Sequence, residues 1–334
     1  MTALVTGGGG FLGGAIVRML LARGESVRIA ARGDYPALGV EQIRGDLAAP
    51  GVAERAVAGC NIVYHVAAKA GVGGRLGEYR RANVEATRRL LAACRAAGVR
   101  RFVFTSSPSV VFDGTDMENV NESAPYPAHY HAFYPMTKAI AERMVLSANG
   151  PTLATVALRP HLIWGPGDNH LVPRILDRGR SGRLRRIGEG KMIDSTYIDN
   201  AAEAHLLAGE RLQPGSPVAG RAYFISNCER MPTWDLVDRI LAAGGLPPVT
   251  RSVPPRLAYA AGWALEALYA VLWPHDEPPM TRFVARELAT SHWFDLTAAR
   301  RDLGYAPRVS VEEGLVQLAV SLRPVAPAPP VRYP

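Results

Sequence analysis

The sequence predicts a doubly wound α/β fold of the Rossmann type, a parallel sheet covered by helices on both faces, with a smaller C-terminal lobe. Three observations carry this. Strand-like and helix-like segments alternate through the first half of the chain, the pattern of βαβ units. Segments such as NIVYHVA and RFVFTSS are apolar on both faces, as strands sandwiched between helix layers must be. The first strand also runs into four consecutive glycines, a sharp turn at the first β-to-α junction. At 334 residues the chain is about twice the size of one ordinary domain, room for two lobes.

The elements follow in order. Residues 2–6 (TALVT) read as a strand ended by glycine, and 13–23 as an amphipathic helix. Strands are expected at 26–32, 41–44 and 61–67, a helix at 80–97 and a strand at 101–106. A helix at 134–147 and a strand at 152–158 complete the alternation. Beyond residue 160 the pattern becomes irregular and rich in Pro, Gly and Arg. The expected organisation is a dinucleotide-binding domain mainly over 1–160, with segments near 190–210 returning to it, and a substrate lobe mainly over 161–322. Residues 323–334 hold five prolines in twelve residues, the composition of an extended tail.

Composition bounds the class. With 48% hydrophobic and 20% charged residues and mean hydropathy +0.01, neither a disordered chain nor a multi-span membrane protein fits. The charge balance, 38 − 30 = +8, favours anionic partners of some kind. Of the 38 cations only Lys69, Lys138 and Lys191 are lysines, leaving 35 arginines, so a lysine here invites a chemical explanation. Three scattered cysteines, Cys60, Cys94 and Cys228, suggest buried free thiols rather than a disulfide framework or zinc site. Met1 leads straight into a strand without a signal-like apolar core, from which a cytoplasmic protein is expected. The longest apolar run, 257–273, is 17 residues and contains Glu266, too short and too interrupted to span a bilayer. A buried core helix is the first reading of it; the others are a wall for an apolar ligand and a membrane-surface contact.

The segment Thr6-Gly7-Gly8-Gly9-Gly10-Phe11-Leu12-Gly13 sits where backbone N–H groups and the positive end of a helix dipole meet a dinucleotide pyrophosphate. It can be read as G-x-G-x-x-G through Gly8, Gly10 and Gly13, or as T-G-x-x-G-x-x-G through Thr6, Gly7, Gly10 and Gly13. After the second strand comes Arg32, where a carboxylate would bind a ribose 2′-hydroxyl. A guanidinium there suits a 2′-phosphate instead, so NADPH is preferred over NADH, with Asp34 two residues on as the competing feature. Asp46 and Leu47 are expected beside the adenine, the alternative for Asp46 being a capping role.

Tyr134-Pro135-Met136-Thr137-Lys138 puts a phenol and an ammonium on one face of a helix. With 12 tyrosines and three lysines in 334 residues, chance supplies about 0.1 such pairs, so the spacing alone is modest evidence and its place after the fifth strand adds weight. A phenol titrates near ~10, and an adjacent cation favours its phenolate. Ser106 and Ser107 end the preceding strand, where a hydroxyl can orient a carbonyl and stabilise its oxyanion.

Taken in this order, T-G-x-x-G-x-x-G, HVAAKAG, Asn83, TSS and Tyr-x-x-x-Lys make the chain resemble the extended short-chain dehydrogenase/reductases over roughly residues 1–322. LRP at 158–160, WGPGD at 164–168 and YIDN at 197–200 continue the likeness. SSPSVVFDG, the spacing around 131–135 and the apolar C-terminal run resemble the 3β-hydroxysteroid dehydrogenase-like branch. More narrowly, SSPSVVFDGTD, NESAPYP and YPMTKAIAE are similar to bacterial 2-alkyl-3-oxoalkanoate reductases of long-chain olefin biosynthesis. The resemblance implies a catalytic Ser107, Tyr134 and Lys138, and nicotinamide near Ala67 and Pro160. It implies hydride transfer from NADPH to the ketone of a long-chain β-keto acid, Tyr134 giving the proton, Ser107 holding the oxygen and Lys138 binding ribose. It also implies partner enzymes that form and decarboxylate a β-lactone; assembly with them, and a homo-oligomer, are expectations.

Three other readings remain at this point: a 3β-hydroxysteroid or sterol-4-carboxylate dehydrogenase, a nucleotide-sugar epimerase or dehydratase, and a cofactor-binding sensor or assembly subunit without activity. For the substrate carboxylate, His129, His131, His161 and Lys69 are candidates by position, with no assignment among them. Residues 174–191 carry seven cations against Asp177 and Glu189. That stretch is a solvated face, a contact for an acidic partner or an anionic substrate handle. No nucleic-acid module accompanies it, and no metal site or transmembrane segment is expected.

Overall fold

The computed structural model describes residues 2–273 and 276–323. The chain begins with β1 (Thr2–Thr6), α1 (Phe11–Ala22), β2 (Ser26–Ala31), β3 (Glu41–Arg44), α2 (Val52–Val57), β4 (Cys60–His65), α3 (Leu76–Tyr79), α4 (Ala86–Ala96) and β5 (Arg101–Thr105). It continues with β6 (Met117–Val120), α5 (Phe133–Ser147), β7 (Ala154–Pro160), β8 (Ile163–Trp164), α6 (Leu171–Arg180), β9 (Met192–Ile193), β10 (Thr196–Tyr197) and α7 (Ile198–Arg211). Last come β11 (Arg221–Ile225), β12 (Met231–Pro232), α8 (Thr233–Ala243), α9 (Pro255–Leu272), α10 (Arg282–Leu288), β13 (His292–Phe294) and α11 (Val311–Leu322).

Seven strands form one sheet in the order β11-β7-β5-β4-β1-β2-β3, every pair parallel. The chain winds outward from β1 in both directions, so a crevice opens at the carboxyl ends of β1 and β4. Successive side chains of each strand feed two different cores. Ala3, Val5 and Val103 pack with Ile16 and Leu20 of α1 and Ala201 and Leu206 of α7. Leu4, Phe102 and Phe104 pack with Leu90 and Leu91 of α4 and Val145 of α5. This is why NIVYHVA and RFVFTSS are apolar on both faces.

A second sheet, β12-β9-β13-β6, takes β6 from the first half of the chain, while α7, within the 190–210 segment expected to return, packs on the main sheet and β11 joins its edge. Helix α2 is absent from the sequence reading. Its buried Val52, Ala53, Ala56 and Val57 have helical spacing, but six residues are too few for periodicity to register. The helix expected at 80–97 starts at Leu76, and between α3 and α4 it widens into a π-type turn over Arg80–Glu85. β7 extends through Pro160, past the expected end at 158.

Two expectations are corrected. Cys60 and Cys94 are buried, but Cys228 is exposed, because it lies in a loop at φ 58° with its Sγ 3.0 Å from Arg300 Nη2. The apolar run 257–273 is not a core helix: in α9 only Ala258 and Gly262 are buried, and Val271 is 78% exposed. Among the described residues no helix is long and apolar enough to cross a membrane. The proline-rich residues 324–334 lie outside the described residues.

Candidate active site

The glycine turn is shaped by backbone approach. Gly7 takes φ 68°, a conformation glycine adopts without strain, and its carbonyl accepts Gly10 N–H at 2.8 Å. A Cβ on Gly13 would run into that carbonyl, and one on Gly8 would run into Ile29. Helix α1 then starts at an extended Gly10, with no side-chain cap and no acidic residue in its first turn. Its first N–H groups and dipole are left facing the crevice, a cradle that fits a dinucleotide pyrophosphate. Leu12 is buried in the adjoining core.

Thr6 ties this turn to the neighbouring strand. Its Oγ1 accepts the N–H groups of Val66 and Ala67 at 3.1 Å each and lies 2.8 Å from His65 Nδ1. Ala67 thereby abuts Gly7, 3.0 Å from the place of a Cβ there. Asp46 caps its own turn, accepting Ala48 N–H at 2.9 Å, and pairs with Arg81 at 2.7 Å. Leu47 is buried beside it. Arg32 and Asp34 are both exposed. Pro160 is the buried last residue of β7.

Tyr134 and Lys138 lie one turn apart at the start of α5. Lys138 is 2% exposed; its Nζ donates to Thr105 O at 2.5 Å and lies 4.1 Å from the centre of the Phe104 ring. Burial brings its ammonium down to about 7, against the Glu142 carboxylate, which favours the charged form. Glu142, a further turn along α5, forms a two-point pair with Arg159 of β7 at 2.6 and 3.0 Å and accepts Tyr126 Oη at 2.6 Å. Ser107 caps the turn before Phe112, accepting Ser109 N–H at 3.3 Å with its Oγ 2.9 Å from Ser109 Oγ, and it stands near enough to Tyr134 to favour the phenolate. Among the described residues the buried hydroxyl of Ser106 has no partner, an open hydrogen-bonding position at the end of β5.

Burial pushes the Tyr134 phenol up to about 12, the Ser107 side chain pulls it back, and Glu287 raises it further. The expected depression of the phenol by Lys138 is therefore not what the geometry gives: the ammonium is engaged by the Thr105 carbonyl and the Phe104 ring. Glu287 on α10 is itself raised to about 8 by burial. Neither Glu142 nor Glu287 was recognised in the sequence. Glu142 had a signal, standing four residues after the lysine; Glu287 reaches the site only through the fold.

Asn83, in the widened turn, joins two parts of the site. It accepts Lys69 N–H at 2.7 Å and donates to Thr137 Oγ1 at 3.0 Å. Of the carboxylate-handle candidates, Lys69 pairs with Glu78 at 2.9 Å and His161 is buried with Nδ1 on Asp194 O at 2.5 Å. His129 is exposed. His131 alone of these lines a cavity of about 560 Å³ beside the site. Tyr130, Phe133 and Met136 form one wall of that cavity, and Trp263, Tyr269 and Trp273 another. Tyr134 and Ser107 do not line it, but Phe133 and Met136 flank the tyrosine.

Comparison with known proteins gives consistent results. The chain is 52% identical to the 2-alkyl-3-oxoalkanoate reductase of Stenotrophomonas maltophilia, over 96% of this chain and 99% of that protein. It is 50% identical to the protein of the same name from Shewanella oneidensis, over 96% and 86%. The solved structure of MoeE5 in complex with UDP-glucose and NAD superposes with TM-score 0.74 at 25% identity, covering 96% of this chain and 98% of that one. The pattern of the 3-beta hydroxysteroid dehydrogenase/isomerase family matches residues 4–254, a span that takes in the glycine turn, Ser107, Tyr134 and Lys138. With the parallel seven-stranded sheet and this match over most of its length, the chain belongs to the 3-beta hydroxysteroid dehydrogenase/isomerase family.

Proposed function

We propose that the protein is an NADPH-dependent ketoreductase that converts a 2-alkyl-3-oxoalkanoate, a long-chain β-keto acid, to the 2-alkyl-3-hydroxyalkanoate of olefin hydrocarbon biosynthesis. The observation that carries this is the 52% and 50% identity, over nearly the whole chain, to two reductases of that name. The aromatic-lined cavity beside Tyr134 suits an alkyl chain.

In this reading Gly7, Gly10, Phe11, Leu12 and Gly13 hold the pyrophosphate at the start of α1, and Arg32 takes the 2′-phosphate. Asp46 and Leu47 border the adenine, Ala67 and Pro160 border the nicotinamide, and Lys138 binds the ribose. When bound, the dinucleotide supplies the hydride. Tyr134 gives its phenolic proton to the developing alkoxide, and Ser107 Oγ donates a hydrogen bond to the same oxygen. A phenol raised to about 12 keeps its proton at neutral pH, as reduction requires, and still protonates the far more basic alkoxide.

The test is nucleotide oxidation with a racemic 2-alkyl-3-oxo fatty acid beside a 3-ketosteroid and a UDP-sugar, each with NADPH and with NADH. Turnover is expected for the keto acid with NADPH; preference for another substrate or for NADH would overturn the corresponding part. The same reading places the protein in the cytoplasm with β-lactone-forming and β-lactone-decarboxylating enzymes, and co-purification from cell extract checks that assembly.

A further inference from the structure

His65 stands at the carboxyl end of a central strand with both ring nitrogens engaged. It is the last residue of β4 and 1% exposed. An apolar side chain would fill such a place without the cost of burying an imidazole, so the reason for a histidine lies in what its two nitrogens hold.

The hydrogen bonds around it run in one direction. Thr6 Oγ1 accepts the N–H groups of Val66 and Ala67 at 3.1 Å each, which takes both of its lone pairs. Its own hydrogen therefore goes to His65 Nδ1, 2.8 Å away. With Nδ1 as the acceptor, the ring hydrogen sits on Nε2 and is donated to Thr87 Oγ1 at 2.9 Å. Thr87 in turn donates to Asn83 O at 2.6 Å. The Asn83 side chain donates to Thr137 Oγ1 at 3.0 Å. Thr137 donates to Phe133 O at 2.8 Å, with Tyr134 O at 3.1 Å as its second acceptor. Thr6, His65, Asn83, Thr87 and Thr137 are each 2% exposed or less, so the chain is closed off from solvent. A second hydrogen on the ring would face the Thr6 hydrogen, and burial together with the Lys138 charge holds the imidazole down to about 3. The His65 ring centre also lies 5.6 Å from that of Phe104, the ring that Lys138 Nζ approaches at 4.1 Å.

The ends of this chain are the two halves of the site. Thr6 precedes the glycine turn and fixes Ala67 against Gly7, while Thr137 stands between Tyr134 and Lys138 in α5. We propose that His65, as the tautomer with its hydrogen on Nε2, is a positioning residue: through Thr87 and Asn83 it ties the glycine turn to the start of α5 and so keeps Tyr134 in line with the nicotinamide. This rests on the reading of the turn as the dinucleotide site and of Tyr134 as the proton donor. His65 itself touches no reacting atom; it acts through the elements that its two nitrogens join.

The experiment has two arms, both on the full-length protein. In the first, nitrogen NMR of histidine-labelled wild type reads the tautomer, the His65 signal being assigned by its shift in Thr87→Ser. A pyridine-like Nδ1 and a pyrrole-like Nε2 through the neutral range are expected; the opposite tautomer or an imidazolium overturns the proposal. In the second, Thr87→Val and Thr87→Ser are compared with wild type on the ketone reduced best, per folded molecule. Thr87→Val is expected to lower kcat about ten- to a hundredfold, with KM for the ketone and Kd for NADPH within about threefold of wild type. Thr87→Ser, which keeps the hydroxyl, is expected to hold kcat within about threefold. A wild-type kcat in Thr87→Val overturns the proposal, and so does an equal loss in both variants, which gives the effect to packing rather than to the hydroxyl. Wild type that reduces none of the ketones overturns the proposed function, and the positioning role falls with it; failure of the positioning role alone is read as turnover that Thr87→Val leaves intact.

Discussion

Helices α5 and α9 both border the cavity, and they handle charge in opposite ways. α5 buries Lys138 and Glu142 and α9 leaves leucine, valine and tryptophan in water. The reason is where the partners stand. Lys138 has the Thr105 carbonyl and Glu142 has Arg159 and Tyr126 behind the helix, so their charges go inward. Glu266 pairs with Arg282 of α10 on the side where Ala258 and Gly262 are buried, Gly262 lying against the backbone of Thr281 and Arg282. The count of apolar residues along a helix therefore says less about its buried face than the place where its small residues let a neighbour approach.

The largest effect separating the two helices is expected at Tyr134. Tyr134→Phe should lower kcat/KM for the ketone by about 10²- to 10⁴-fold while NADPH binding, followed by nucleotide fluorescence, stays within about twofold. Retained turnover would remove the assigned role. Next comes stability. Glu142→Ala leaves Arg159 buried without its carboxylate and should cost about 3–5 kcal/mol in chemical denaturation. Glu266→Ala breaks a pair whose side chains are 24 and 43% exposed and should cost about 1 kcal/mol or less. Equal costs would break the contrast drawn between the helices.

The pH dependence separates the helices more gradually. Burial holds Lys138 at about 7, well below an ordinary lysine, so the ammonium is complete below that pH and lost above it. kcat/KM for NADPH is expected to fall about tenfold per unit above pH ~7. Glu287, raised to about 8 by burial, adds a negative charge near Tyr134 on the same side, and Glu287→Gln should soften the alkaline decline. Glu266→Gln on α9 should leave the profile unchanged. A flat profile in wild type would show that the charge on Lys138 does not matter for cofactor capture.

The parts legible in sequence were those whose chemistry runs along one element. The glycine turn and the Tyr134–Lys138 pair depend on spacing within a single turn and a single helix, so eight and five residues of sequence contain them. The βαβ strands were legible because double-sided burial makes consecutive residues apolar in their centres. The orphaned Ser106 hydroxyl and the approach of Glu287 to Tyr134 join residues far apart in the chain, and no local pattern encodes them. α9 failed for a different reason: composition marks a segment as apolar but does not say on which side its neighbours stand.

The π-type turn at Arg80–Glu85 sets a rotational phase. An α-helix advances about 100° per residue, and a widened turn amounts to one extra residue accommodated in the coil. Asn83, inside that turn, spans from Lys69 to Thr137. Deleting a single residue there would restore regular helix and swing Asn83 out of line with the first turn of α5. The reading frame of the site is thus kept by a stretch that contains neither the tyrosine nor the lysine, and a length change in it would uncouple the loop from α5 while leaving each of those groups in place.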